Sequence, residues 1–174
     1  MDLPGGLRHW MRTLGPLGKE AGVFAHALGD RRGASACLLV VGSPEFEPWH
    51  FTAHLQEAAL SSRQPHLVPT LLRWNVPAGA PSHLAMSVDS LGQASRDQTV
   101  LVVHLGGPVP DLLERVTDAR HRGARIMTLH RENADLIGLS HETLSIDASR
   151  PPRDFEITQH VVTALTPRAV RSTP

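Results

Sequence analysis

Thr99-Val100-Leu101-Val102-Val103-His104-Leu105-Gly106-Gly107-Pro108-Val109-Pro110 is the stretch on which the fold turns. Val100 to Val103 run without a polar break, as in a strand covered on both faces of a parallel sheet. The glycine pair turns the chain, and Pro110 stands where a helix can begin without needing an N–H. Four more short apolar runs repeat this strand signal: Cys37-Leu38-Leu39-Val40-Val41, Leu67-Val68-Pro69-Thr70-Leu71-Leu72, Arg125-Ile126-Met127-Thr128-Leu129 and Thr143-Leu144-Ser145-Ile146-Asp147. Pro69 cannot donate to a ladder, which assigns its run to an edge or to irregular backbone.

Helical patterns fill the intervals. They cover Pro48 to Ser62, Pro81 to Ala94, Pro110 to Arg122, Asn133 to Leu139 and Arg153 to Thr166. The third has Leu112, Leu113, Val116 and Ala119 on one stripe and Gly123 as its stop. Leu7 to Leu28 is a weaker helical region, broken by Gly15-Pro16 and Gly18. Strands alternating with crossover helices predict an α/β fold, a three-layer α/β/α sandwich on a five-stranded, mainly parallel sheet. The expected division is an N-terminal helical region over 1–33, the α/β domain over 34–167 and a tail over 168–174.

Composition narrows the function classes. The 174 residues carry 17 Lys+Arg against 17 Asp+Glu, which leaves no electrostatic footprint for nucleic acid or an anionic membrane. No apolar run approaches the roughly 20 residues of a membrane-spanning helix. Met1-Asp2-Leu3-Pro4-Gly5-Gly6 lacks the basic start and apolar stretch of a signal peptide, so a cytoplasmic protein is expected. The single cysteine, Cys37, leaves no internal disulfide and no multi-cysteine zinc site. Its place at the start of a buried strand makes it a small core residue. No Gly-x-Ser-x-Gly elbow anchors a hydrolase triad. Trp10, Trp49 and Trp74 are scattered, and Trp49 and Trp74 are expected to pack.

In parallel α/β sheets the ligand site lies at the carboxyl ends of the strands. That places the loops after Val41 and His104, with Gly42, Ser43, Gly106 and Gly107, at the expected site. Glycine between a strand and a helix is a natural anion seat, although such loops also serve as plain turns. Neither loop is a Walker A or a GxGxxG motif. His50-Phe51-Thr52-Ala53-His54 puts two imidazoles on one helix face, and Glu156-Ile157-Thr158-Gln159-His160 repeats the spacing. Together His50, His54, Glu156 and His160 offer an N₃O donor set suited to zinc, iron or nickel. With 11 histidines in the chain, i, i+4 spacing also arises by chance on solvated faces. His104, at the end of a buried strand, reads either as a ligand-site residue or as a core histidine bonded to the backbone.

In order of elements and in these residues the chain resembles the sugar isomerase (SIS) domain, and in particular the phosphoheptose isomerase family. Leu38 to Ser43 stands where that family has its first strand and Gly-Asn-Gly-Gly-Ser loop. His50-Phe51-Thr52-Ala53-His54 stands at its His-Phe-Ala-x-Glu motif. Val103 to Pro108 takes the place of its Ser-Thr-Ser-Gly-Asn-Ser phosphate loop. The resemblance covers most of residues 36–166 and implies a flavodoxin-like SIS domain, a homotetramer and zinc-dependent ketose-to-aldose isomerisation of sedoheptulose 7-phosphate. It also implies a metal on His50, His54, Glu156 and His160, with His54 or His160 shuttling protons. Ser43, His104, Gly106 and Gly107 would hold the substrate phosphate. The chain departs from the family in four places: the first loop is shorter, the second has no hydroxyl, His54 replaces a glutamate, and Ala164 falls near the family's final-helix histidine. These departures open a second expectation, a catalytically silent SIS scaffold or regulator with a protein partner, as in relatives that bind a bacterial replication initiator. A metal enzyme acting on a less anionic substrate is the third.

Overall fold

The computed structural model describes residues 5–30, 37–81 and 85–169. The elements are α1 (Gly5–Leu14), α2 (Pro16–Gly29), β1 (Cys37–Val41), α3 (Trp49–Ser61), β2 (Pro69–Leu72), β3 (Gln98–His104), α4 (Pro110–His121), β4 (Arg125–Arg131), α5 (Ala134–Leu139), β5 (Glu142–Ile146) and α6 (Pro152–Ala169). All five strands are parallel, in the order β2-β1-β3-β4-β5. This is the doubly wound order whose ligand crevice opens where β1 and β3 meet. Pro69 indeed lies on an edge strand, paired with Leu38.

Strand alternation divides the core between two helical layers. Leu38, Val40, Leu101, Val103, Met127, Leu129, Leu144 and Ile146 pack with residues of α1, α2, α3 and α6. Leu39, Val41, Val100, Val102 and Ile126 face the other way, with Leu112 and Val116 of α4 and Leu136 of α5. The N-terminal helices belong to the first layer: Leu14, Leu17, Phe24 and Leu28 are buried in the same cluster as the sheet. The break falls at Gly15, whereas Gly18 lies inside α2. A Cβ on Gly18 would meet the Met11 carbonyl oxygen at 2.7 Å, so its role is the close approach of α1 to α2.

Three expectations are corrected. The stretch from Pro81 to Ala94 is no α-helix. Residues 82–84 lie outside the described chain, and the rest forms a 3-10 turn at Val88–Gln93, capped by the Ser87 hydroxyl on the Asp89 N–H. Pro48 caps α3 rather than opening it, and Trp49 begins the helix. Trp49 does not pack: 65% of it is exposed. α6 continues to Ala169, just past the expected start of the tail, and residues 170–174 lie outside the described chain. Among the described residues, no helix is long and apolar enough to cross a membrane.

Candidate functional site

α3 buries Phe51, Thr52, Leu55 and Ala59, a stripe at helical spacing, and this rotation leaves His50 and His54 on its flank. α6 buries Phe155, Thr158, Val161 and Val162 and turns Glu156, Gln159, His160 and Thr163 toward the same gap. The helices pack side by side, and His50, Phe51, His54, Glu156, Gln159, His160 and Thr163 line a pocket of about 220 Å³ between them.

Ligand nitrogens of His50, His54 and His160 all lie within 4.8 Å of one another. The Nε2 atoms of His50 and His54 are 2.8 Å apart, so one hydrogen lies between them. Glu57, 3.8 Å from Nδ1 of His54, favours a proton on that nitrogen, which makes Nε2 of His54 the acceptor. The ring of His160 lies 4.9 Å from that of His54 and 5.5 Å from that of His50. Its pKa is lowered, first by burial, then by the positive charge that His54 and His50 can carry, with Glu156 opposing. A neutral imidazole is the form a metal needs. Two nitrogens bound tetrahedrally about 2.05 Å from zinc are about 3.4 Å apart, within the range this triangle spans. The residues present fit a borderline-soft divalent ion. Glu156 lines the pocket but stands outside the triangle.

The expected phosphate residues are at the carboxyl edge of the sheet. Ser43 is buried, and the Phe46 N–H donates back to its carbonyl at 3.1 Å, closing a tight turn. A Cβ on Gly42 would come within 1.9 Å of the Phe46 carbonyl oxygen, so only glycine fits. Trp74 donates from Nε1 to the Gly42 carbonyl at 2.8 Å, and Phe46 meets Phe155 edge-on, fixing this loop from two sides. Across the switch point, Gly106 and Gly107 have φ of 115° and 91°. His104 is buried and bonds through Nε2 to the Gly107 carbonyl at 3.1 Å.

Sequence reasoning gave His130 no role, yet it is paired in register with His104 and fully buried. Burial, and then the charge of His104, push its pKa down to about 4. Asn133 was missed as well: it bonds the Gly107 carbonyl and caps α5. Equal placement of His104 and His130 at the ends of adjacent strands was the signal that could have found the pair. Trp10 was the third omission, its ring 5.5 Å from that of His160, while Trp49 flanks His50 at 5.6 Å.

No protein-family model matches the sequence, and no curated protein matches it. Solved structures do. The RpiR transcription factor from Sphaerobacter thermophilus (sugar isomerase domain) superposes with a TM-score of 0.57 at 13% identity, over 95% of this chain and 86% of that one. The fold is that of a sugar isomerase domain. The E. coli CFT073 protein c3406, in complex with arabinose 5-phosphate, gives a TM-score of 0.57 at 11% identity, over 95% and 86% of the two chains. Vibrio vulnificus NanR, complexed with ManNAc-6P, gives 0.53 at 15% identity; 88% of this chain matches 53% of that SIS-fold protein.

Proposed function

We propose that this SIS-fold protein binds a sugar phosphate at the carboxyl ends of β1 and β3. We propose further that it isomerises the sugar between ketose and aldose forms with a zinc-class ion on His50, His54 and His160. The observation that carries the reading is the convergence of three imidazole nitrogens from two helices within 4.8 Å. The ligand class is supported by the sugar phosphates named with two structural neighbours, ManNAc-6P and arabinose 5-phosphate. Sedoheptulose 7-phosphate is the first substrate to test, and a homo-oligomer, tetrameric by the family resemblance, is the assembly to test by light scattering.

When bound, the ion supplies Lewis acidity to the oxygen that gains charge as the proton beside the carbonyl leaves. The chain's own residues orient and transfer. His54 and His160 cannot offer one lone pair to both a metal and a proton. Glu156, on the rim of the pocket and outside the triangle, is then the group placed to carry the proton. Metal content per untagged chain tests the centre: near-stoichiometric metal in wild type and none in His50→Ala supports it. A wild type that stays metal-free after zinc is supplied and excess removed overturns it. With metal bound, Glu156→Gln should lower turnover by at least about 100-fold without releasing the ion.

A second reading has its own support. Ser43 is buried and the Gly106-Gly107 loop has no hydroxyl, so phosphate would meet little but main chain. One structural neighbour is named a transcription factor. On this reading the chain is a silent SIS regulator that senses a sugar phosphate or holds a protein partner. A thermal shift with a sugar phosphate but no turnover would select sensing; neither response would select the scaffold.

A further inference from the structure

We propose that His104 and Asn133 are positioning residues. Together they lock the Gly107 carbonyl inward, so that the Gly106-Gly107 loop meets an anionic ligand with main-chain N–H groups alone. The ligand part rests on the sugar-phosphate reading above; the lock itself does not.

A carbonyl oxygen has two lone pairs, and both of Gly107's are taken by side chains. His104 donates from Nε2 at 3.1 Å, and Asn133 donates from Nδ2 at 3.0 Å. Neither amide nor imidazole is free to turn over. The Asn133 Oδ1 accepts the Leu136 N–H at 3.0 Å as the cap of α5, which leaves only Nδ2 for Gly107. Its backbone N–H donates to Nδ1 of His130 at 3.1 Å, so the hydrogen of His130 is on Nε2, bonded to the Thr143 hydroxyl at 3.1 Å. The bond of His104 to a carbonyl likewise puts its hydrogen on Nε2, and the opposite Nδ1 is buried without a donor among the described residues. A continuous line of hydrogen bonds therefore ties the loop to the α5 cap and to β5.

The loop has the complementary property. Gly106 and Gly107 both adopt positive φ, and a Cβ on Gly106 would press on the Arg131 carbonyl oxygen at 3.1 Å. Their N–H groups have no acceptor among the described residues. With the carbonyl held in and no hydroxyl beside it, the groups left to recognise phosphate are these N–H donors. Neutral, backbone-only recognition makes the geometry of the loop decisive, which is why two side chains are committed to it.

Asn133→Ser separates the lock from the helix cap, because serine caps a helix about as well as asparagine but carries no amide donor. His104→Leu removes the other donor, and His104→Gln restores one. The first readout is the ¹⁵N order parameter of Gly106 and Gly107 in ligand-free protein. Wild type should show the rigid value of about 0.85, and the Asn133→Ser, His104→Leu double variant should fall below about 0.6, with partial rescue by His104→Gln. The second is the affinity for arabinose 5-phosphate and for inorganic phosphate, expected to weaken by at least about 10-fold in the double variant. A loop that stays rigid in the double variant while α5 remains folded overturns the proposal. A rigid wild-type loop that binds neither probe overturns the sugar-phosphate reading and the ligand part, while the loosening in the variants still establishes the lock.

Discussion

His50, His54 and His160 stand between α3 and α6 on one face of the sheet, open enough that His50 is exposed. His104 and His130 stand at the ends of β3 and β4 on the opposite face, buried to 2% and 0% exposure. The first three turn nitrogens toward one another across a pocket and have no buried framework to complete. The second two spend their nitrogens on backbone and hydroxyl partners that hold loops in place. The same side chain is an open donor set in one place and a structural strut in the other. What decides is whether each ring's hydrogen bonds are closed within the fold.

The largest test of this contrast is acid. His130 has a folded pKa of about 4 against about 6.5 unfolded, so the unfolded chain takes up a proton that the native chain refuses. Stability should be full above about pH 6.5 and fall as pH drops toward 4, by roughly 3 kcal/mol from this residue. Denaturant unfolding between pH 7.5 and 4 checks it. His130→Gln should be less stable than wild type at pH 7.5, and the gap should narrow through that window. A constant gap would show that His130 is not buried neutral.

Zinc should act on the other cluster alone. Free ion at 100 times its Kd stabilises the native state by about 2.7 kcal/mol, roughly 5–10 °C in Tm for a domain of this size. His50→Ala should abolish the shift, whereas His104→Gln should leave it intact. A shift that survives His50→Ala would place the ion elsewhere.

How much of this was legible in the sequence follows the same division. The sheet was readable because Leu38–Val41 and Val100–Val103 leave no polar residue to face water, and Pro69 marked the edge. The triangle was half readable: i, i+4 spacing fixes which residues share a helix face, but only packing brings α3 beside α6. Glu156 illustrates the limit, since its spacing to His160 matched the histidine pair and its side chain still stands outside the triangle. The His104–His130 pair was hidden because register across two strands is a tertiary fact. Asn133 was read as the start of a helix, and its bond to Gly107, 26 residues away in sequence, has no local signature. The stretch near Pro81 misled because scattered apolar residues mimic a helical stripe where the chain makes only a 3-10 turn.

Asn133→Ala probes the strut more gently than acid. It removes a cap and a bond to Gly107, and should lower stability by about 1–2 kcal/mol in urea unfolding at pH 7.5. Asn133→Ser should recover the capping share and leave the loop bond broken. Full recovery by serine would mean that the bond to Gly107 adds nothing to stability.

The smallest expected effect is the most diagnostic. In metal-free protein at pH 7.5, His54→Ala should change unfolding free energy by no more than about 0.5 kcal/mol, because the ring is partly solvated and its bond to His50 can be replaced by water. Removing a ring from a crowded trio also relieves the repulsion that depresses the pKa of His160, so the His160 resonance should titrate at higher pH in the variant. A near-neutral stability change with an upward shift of His160 is the behaviour of a site whose groups are placed for an outside ion. A loss of about 2 kcal/mol or more, well above the range typical of surface substitutions, would make His54 a strut like His130, and the contrast between the two faces would collapse.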